Sequence, residues 1–215
     1  MKNDIVRALF EHRVVEINLQ NPYRLASGRE SPVYFDLRRI FSVPGLRENV
    51  ISSWASELTE HWNKLRATNS ALPQLKECVI AGTATAGIAP AFGLASKLEL
   101  PFMYVRAKPK GHGLGRMIEG VWPGGETPVI MVDDMITTGG SLFEAATHVT
   151  REYGRVVLAT SVSRHDFNST RTTFEDRRIP LWSLFTTREI FDTARAIEVL
   201  GATEHRAMMD WLDRS

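Results

Sequence analysis

The stretch that most limits the fold is VIMVDDMITTGGS, residues 129–141. An apolar run ends in two adjacent acids and passes directly into hydroxyls and glycines. A short apolar run bounded by turn residues reads as a buried strand. The segment that follows, SLFEAATHVTREYG, carries a helical pattern closed by Gly154. A strand that turns into a helix at Gly139 and Gly140 aims unpaired backbone N–H groups beyond the helix start, where anions collect. Glycine lets backbone approach a phosphate with no Cβ between them. Asp133 and Asp134 each offer a carboxylate able to accept from the hydroxyls of a diol or to bind a hard cation. Strand alternation sends the two acids to opposite faces unless the strand ends between them, and the following turn predicts that it does. A ligand that uses both halves of the stretch is a phosphorylated sugar. An ordinary strand–turn–helix capped by Ser141 accounts for the same residues.

Other short apolar runs are CVIAG (78–82), FMYV (102–105), RVVLATSV (155–162) and LWSLF (181–185). Helical patterns lie between them. GLRENVISSWASELTEHWNKL puts Leu46, Val50, Trp54, Leu58 and Leu65 on one stripe, and AGIAPAFGLASKL follows the first strand. Such alternation predicts an α/β fold whose parallel sheet is covered on both faces. Sheets of this kind bind ligands at the carboxyl ends of their strands, near a topological switch point. Gly82–Gly87, the chain from Arg106 onward, and Asp133–Ser141 are then rims of one cleft. The first 45 residues and the last 30 fall outside the alternation and predict a small cap, within a single domain spanning 1–215. Within them, MKNDIVRALFEHRVVEINL reads as an amphipathic helix carrying Ile5, Leu9, Val14 and Ile17. RATNSALPQLKE (66–77) reads as a surface loop, and RHDFNSTRTTFEDRR as a hairpin or surface loop.

A chain of 215 residues can bury a substantial core, on the order of 70 % of its unfolded surface. A net charge of +1 argues against a broad grip on nucleic acid. No apolar run reaches the roughly 18 residues of a membrane span. Asp4, Glu11 and Glu16 stand where a targeting peptide avoids acids, so a cytoplasmic setting is expected. Cys78, the only cysteine, lies in an apolar run and reads as a buried small hydrophobe. YVRAKPKGHGLGRMIEG (104–120) places Arg106, Lys108, Lys110, His112 and Arg116 among Gly111, Gly113 and Gly115. Residues 106–123 are long for a connection inside a domain, and a basic, glycine-jointed lid suits a polyphosphate that must be clamped and then released. A solvated basic loop is the alternative.

Taken as a whole, the 129–141 string resembles the phosphoribosyl-pyrophosphate signature of the type I phosphoribosyltransferases. LASGRESPVYFDLRRI (25–40) is similar to the N-terminal signature of the orotate phosphoribosyltransferase family, the 104–120 segment to its flexible loop, and AGTATAGIAPA (81–91) to its pyrophosphate loop. The resemblance covers most of residues 1–165 and little of the last 50. It implies the type I phosphoribosyltransferase fold, capped by the N-terminal segment with the C-terminal residues as a second candidate. It also implies transfer of phosphoribose to orotate in de novo pyrimidine synthesis, with Mg²⁺, in a homodimer whose lid reaches the neighbouring site. Arg106, Lys110 and His112 would contact pyrophosphate, and Lys110 matches the main catalytic lysine. Thr83, Ala84, Thr85, Ala86 and Gly87 would form the pyrophosphate loop. Asp133, Asp134, Met135, Ile136, Thr137, Thr138, Gly139, Gly140 and Ser141 would hold the ribose and its 5-phosphate, the two acids also serving catalysis. Thr137, Tyr34, Phe35 and Arg164 would meet orotate, Arg164 through its carboxylate. Plain core packing is the other reading of Tyr34 and Phe35. Some members have lysine where this chain has Ala26, Ala86 and Ala107, so a very anionic ligand meets fewer cations here.

Transfer at the anomeric carbon builds positive charge on the ribose and negative charge on the leaving pyrophosphate. Carboxylates suit the first, and Lys110, His112, Arg106 and Mg²⁺ the second. The metal is expected mainly on ligand phosphates and water, with no dedicated protein ligand set. Three rivals remain: a phosphoribosyltransferase for another base, a non-catalytic sensor of phosphoribosyl pyrophosphate that binds nucleic acid elsewhere, and a structural homologue without chemistry, which the three missing lysines alone support.

Overall fold

The structure is a computed structural model that describes residues 1–24, 30–106, 117–121, 123–152 and 154–214. Helix α1 (Lys2–Glu11) buries Ile5, Val6 and Leu9. It stops sooner than the apolar spacing predicts. Arg13 takes a left-handed φ of 55°, and the chain enters strand β1 (Val15–Ile17). The β-branched pair Val14–Val15 crowds a helical turn but fits a pleated surface. Strands β2 (Tyr23–Arg24) and β3 (Glu30–Ser31) pair with each other, and β4 (Val33–Phe35) returns antiparallel to β1. Helices α2 (Arg38–Ser42) and α3 (Pro44–Thr68) follow. Pro44 opens α3, where a missing N–H removes no helical bond. The expected stripe of Leu46, Val50, Trp54 and Leu58 is buried, and Trp62, not Leu65, is its last fully covered member.

The sheet begins with β5 (Val79–Thr83), which leads through α4 (Ile88–Leu98) to β6 (Phe102–Val105) and the edge strand β7 (Ile118–Glu119). Next come β8 (Pro128–Ile136), α5 (Gly140–Arg151), β9 (Arg155–Arg164), α6 (Asn168–Asp176) and β10 (Leu181–Thr186). Helices α7 (Thr187–Ala196) and α8 (Ala202–Arg214) close the chain. Strand order is β10-β9-β8-β5-β6-β7, parallel throughout except for antiparallel β7. The segment expected as a hairpin or loop after Arg164 is helical instead. Phe174 of α6 packs its ring 4.5 Å from that of Phe143, which gives the polar helix an anchor.

Alternation along β8 splits its apolar residues between two cores. Ile130 and Val132 join Trp54 and Leu58 of α3 and Leu94 of α4, whereas Val129 and Met131 join Leu142 and Val149 of α5 and Phe174 of α6. The buried Trp54 donates its Nε1–H to Thr160 Oγ1 at 3.0 Å, so the indole brings no unpaired polar group into the first core. Helix α1 packs on α7, and Lys2 Nζ donates to the Leu184 carbonyl (3.0 Å) while pairing with Glu57 (2.8 Å). From β5 the chain moves to β6 on one side, yet β8 lies on the other side of β5. That reversal opens a crevice beyond the carboxyl ends of β5 and β8.

Candidate active site

Both acids stand at this crevice. The sequence predicts a strand that ends between them, but β8 runs on to Ile136 because its ladder with β9 continues, with Asp133 opposite Ser161 and Ile136 opposite Arg164. The carboxylates nonetheless stay within reach of each other and share a side-chain hydrogen bond. Asp133 shares a side-chain hydrogen bond with Thr83, and Asp134 feels the charge of Arg38. Asp133 Oδ1 accepts the N–H of Asp134 (2.9 Å), and Asp134 Oδ1 accepts that of Met135 (2.8 Å). Asp133 is 8 % exposed. Burial, and next the charge of Asp134, push its carboxyl up to about 7. Burial pushes Asp134 upward as well. A site that raises two neighbouring carboxyls in this way is prepared for positive charge or hydroxyl donors.

Beyond Ile136 the chain turns through Thr137 and Thr138, both exposed. Gly139 then caps α5 with φ 82° and no side-chain cap bond. A Cβ there would come within 2.6 Å of the Phe174 ring and 2.9 Å of Phe143. Only glycine meets both the φ and the space. Ser141, expected as an alternative N-cap, lies inside the helix and is exposed. The opening turn of α5 thus presents N–H groups that have no helical acceptor. Met135 and Ile136 offer little from their side chains. Met135 packs against one core and Ile136 is buried in the other.

The Thr83–Gly87 loop is as tightly built. Gly87 N–H donates to the Thr83 carbonyl (2.9 Å), and Ala84 N–H to that of Val105 (2.8 Å). A Cβ on Gly87 would fall 2.5 Å from Thr83 Oγ1 and 2.6 Å from the Val132 carbonyl. Arg106 follows β6 at the same end of the sheet. Its backbone N–H donates to the Met117 carbonyl (2.8 Å), and its guanidinium lies 3.8 Å from Glu119. Within the expected lid, Ile118 and Glu119 form strand β7. Lys108, Lys110, His112, Arg116, Ala26 and Ala107 lie outside the described residues.

Tyr34 and Phe35 part company, as neighbours on a strand must. Tyr34 is 39 % exposed, with its ring 5.6 Å from that of Tyr23. Phe35 is half-buried against His165 and Phe191. Arg38, which the motif reading passed over, is held by Asp36 (2.9 Å) and lies in the field of both Tyr34 and Asp134. No local pattern marks it, because its meaning comes from residues nearly a hundred positions away. Arg164 ends β9, half-buried, and borders a groove of about 400 Å³ with Arg171 and Arg178. Its Nε is enclosed and has no hydrogen-bond partner among the described residues. Also among them, no group of three or more His, Cys, Asp or Glu side chains gathers as a metal cluster.

Comparison with known proteins sharpens this geometry. Residues 51–172 match the phosphoribosyl transferase domain family. The chain is 34 % identical over 207 residues to an orotate phosphoribosyltransferase of Lactiplantibacillus plantarum, covering 96 % of this chain and 92 % of that one. Among solved structures, the orotate phosphoribosyltransferase of Aeropyrum pernix superposes with a TM-score of 0.68 at 25 % identity, over 92 % of this chain and 99 % of the other. The Leishmania donovani UMP synthase shares the fold at a TM-score of 0.78 and 19 % identity; all of this chain is covered, and it spans 42 % of that longer protein.

Proposed function

This chain belongs to the orotate phosphoribosyltransferase family, and on that premise we propose how its cleft joins orotate to 5-phospho-α-D-ribose 1-diphosphate, giving orotidine 5′-phosphate and pyrophosphate. The observation that carries the assignment of roles is the acid pair Asp133–Asp134 beside the uncapped start of α5, at the switch point of the sheet.

The first N–H groups of α5, with the Thr137, Thr138 and Ser141 hydroxyls, hold the 5-phosphate. Asp133 and Asp134 accept from the ribose hydroxyls and offset positive charge as the glycosidic bond breaks. Thr83–Gly87 and Arg106 receive the pyrophosphate, joined by Lys110 and His112 from the lid. Thr137 and Tyr34 line the base end, with Phe35 behind them, and Arg164 pairs with the orotate carboxylate. An all-oxygen set of carboxylates and hydroxyls fits Mg²⁺, which when bound with the diphosphate adds positive charge where the leaving group gains negative charge. Residues 1–45 act as the cap, 106–123 as the lid, and the whole chain as one domain. A cytoplasmic homodimer completes this reading. Among the described residues, no helix is long and apolar enough to cross a membrane.

The test is to mix the purified protein with orotate, phosphoribosyl pyrophosphate and Mg²⁺ and follow the loss of orotate absorbance, with uracil and hypoxanthine in parallel. Consumption of orotate alone is expected. Turnover of another base with orotate untouched would overturn the reading.

A further inference from the structure

Thr187 opens α7, outside the cleft, and is fully buried. Its Oγ1–H donates to the carbonyl of Arg164 at 3.1 Å. Nδ1 of His165 lies 2.8 Å from the same hydroxyl. Because the single hydroxyl hydrogen is committed to Arg164, the imidazole is the donor in that second contact and His165 carries its proton on Nδ1. Burial lowers the His165 pKa to about 4, which keeps the ring neutral. The backbone N–H of His165 donates to the Ile136 carbonyl (3.0 Å), directly before Thr137. Its ring is enclosed by Phe35, Phe167 and Trp211, with centroids 5.9, 4.7 and 5.4 Å away. On the far side, Arg188 N–H donates to Asp166 Oδ2 (3.3 Å) and the Arg188 guanidinium pairs with Asp213 of α8. Residues 164–166 are therefore fixed by α7 and α8, elements that hold no part of the cleft themselves.

We propose that Thr187 and His165 are positioning residues for orotate: by pinning the Arg164 carbonyl, they set the root from which the Arg164 side chain reaches the base end of the cleft. The inference rests on Arg164 pairing with the orotate carboxylate, the reading given above. Arg164 Nε has no hydrogen-bond partner among the described residues and the guanidinium acts on Asp166 only through its charge, so the backbone anchor does much of the aiming. The N–H of the Arg164–His165 peptide stays bonded to the Ile136 carbonyl. Losing the carbonyl bond therefore lets the peptide tilt about that remaining anchor and shifts the guanidinium relative to the substrate carboxylate, with the ribose-phosphate wall held in place.

Steady-state kinetics with both substrates, together with melting temperatures, test this. Thr187→Val keeps the volume and removes both hydrogen bonds. The expected result is an orotate KM raised about tenfold, the order of one lost buried hydrogen bond, with kcat and the KM for phosphoribosyl pyrophosphate within about twofold. Thr187→Ser restores the hydroxyl and should return the orotate KM to within about threefold of the parent. A lower melting temperature with unchanged orotate KM, or a parallel rise in both KM values, would mean a merely structural role and overturn the inference. Arg164→Ala tests the premise separately. An unchanged orotate KM in that variant defeats the Arg164 reading itself. A raised one, with Thr187→Val unaffected, defeats only the positioning step. If Thr187→Val does not fold, His165→Leu and His165→Asn replace it. The asparagine, which keeps a donor near the place of Nδ1, should lie closer to the parent in orotate KM, and equal KM values in the two would count against the proposal.

Discussion

At Gly139 one added carbon would come 2.6 Å from a buried phenyl ring, whereas across the cleft Tyr34 is 39 % exposed and the Arg38 side chain 64 % exposed. The β8–α5 wall and the Thr83–Gly87 loop are close-packed backbone, fixed by sheet ladders and by glycines that tolerate no Cβ. The facing wall is made of surface side chains, held by ion pairs such as Arg38–Asp36, which are individually worth little. The difference matches the two parts of the substrate set. A sugar phosphate can be met by a preformed, rigid surface, and preorganised donors act most strongly in the transition state. A base must enter before reaction, which a wall of exposed side chains permits.

Four substitutions put that contrast at risk. Lys110→Ala is expected to lower kcat by about a hundred- to thousandfold, roughly 2.7–4 kcal/mol, with the melting temperature unchanged. Undiminished turnover would remove the lid from the chemistry. Gly139→Val should act through the other wall and destabilise the fold by about 2–4 kcal/mol in denaturant titration, through positive φ and the Phe174 clash. Near-parental stability would mean that the rigid wall is not rigid. The third concerns pH. Asp133 has its carboxyl raised above its ordinary value, so the folded state binds a proton the unfolded chain has already lost. The associated stability is full below the ordinary value of 3.8 and is lost as pH rises through about 7. Melting of the ligand-free protein should therefore show a loss on the order of 2 kcal/mol between about pH 5 and 8, and Asp133→Asn should flatten that slope. The same slope in both proteins would refute the assignment. The smallest effect belongs to Arg38→Ala, expected to change the orotate KM by about fivefold or less and stability by under about 1 kcal/mol. A hundredfold change would place Arg38 among the residues that grip substrate and erase the contrast.

The rigid wall was the more legible one in the sequence, because each of its parts is local. Asp133 to Ser141 is one continuous string whose strand, turn and helix can be read from neighbouring residues. The opposite wall is assembled from β4 and α2, and its meaning is tertiary. Arg38 gained significance only when the fold brought it into the field of Asp134. The split between Tyr34 and Phe35 follows from strand alternation, but deciding which one is exposed required knowing where β1 lies. The run Val14–Ile17 kept near-helical spacing, yet pairing with Val33–Phe35 outweighed it. For α6, polar composition hid a helix that needs only Phe174 and the Thr170 bond to the Thr137 carbonyl to dock.

The hydrogen bond from Lys2 to the Leu184 carbonyl, and the seat of α1 on α7, set an order on how the molecule can be completed. In a chain synthesised from its amino end, α1 can settle on α3 early, through contacts such as Lys2–Glu57, but its seat on α7 waits until β10 and α7 have left the ribosome. Such long-range closure is slow, because the intervening loop must be ordered before the contact forms. Until α7 arrives the Ile5–Leu9 surface is thus covered only in part, and that interval is when it would invite aggregation or a chaperone.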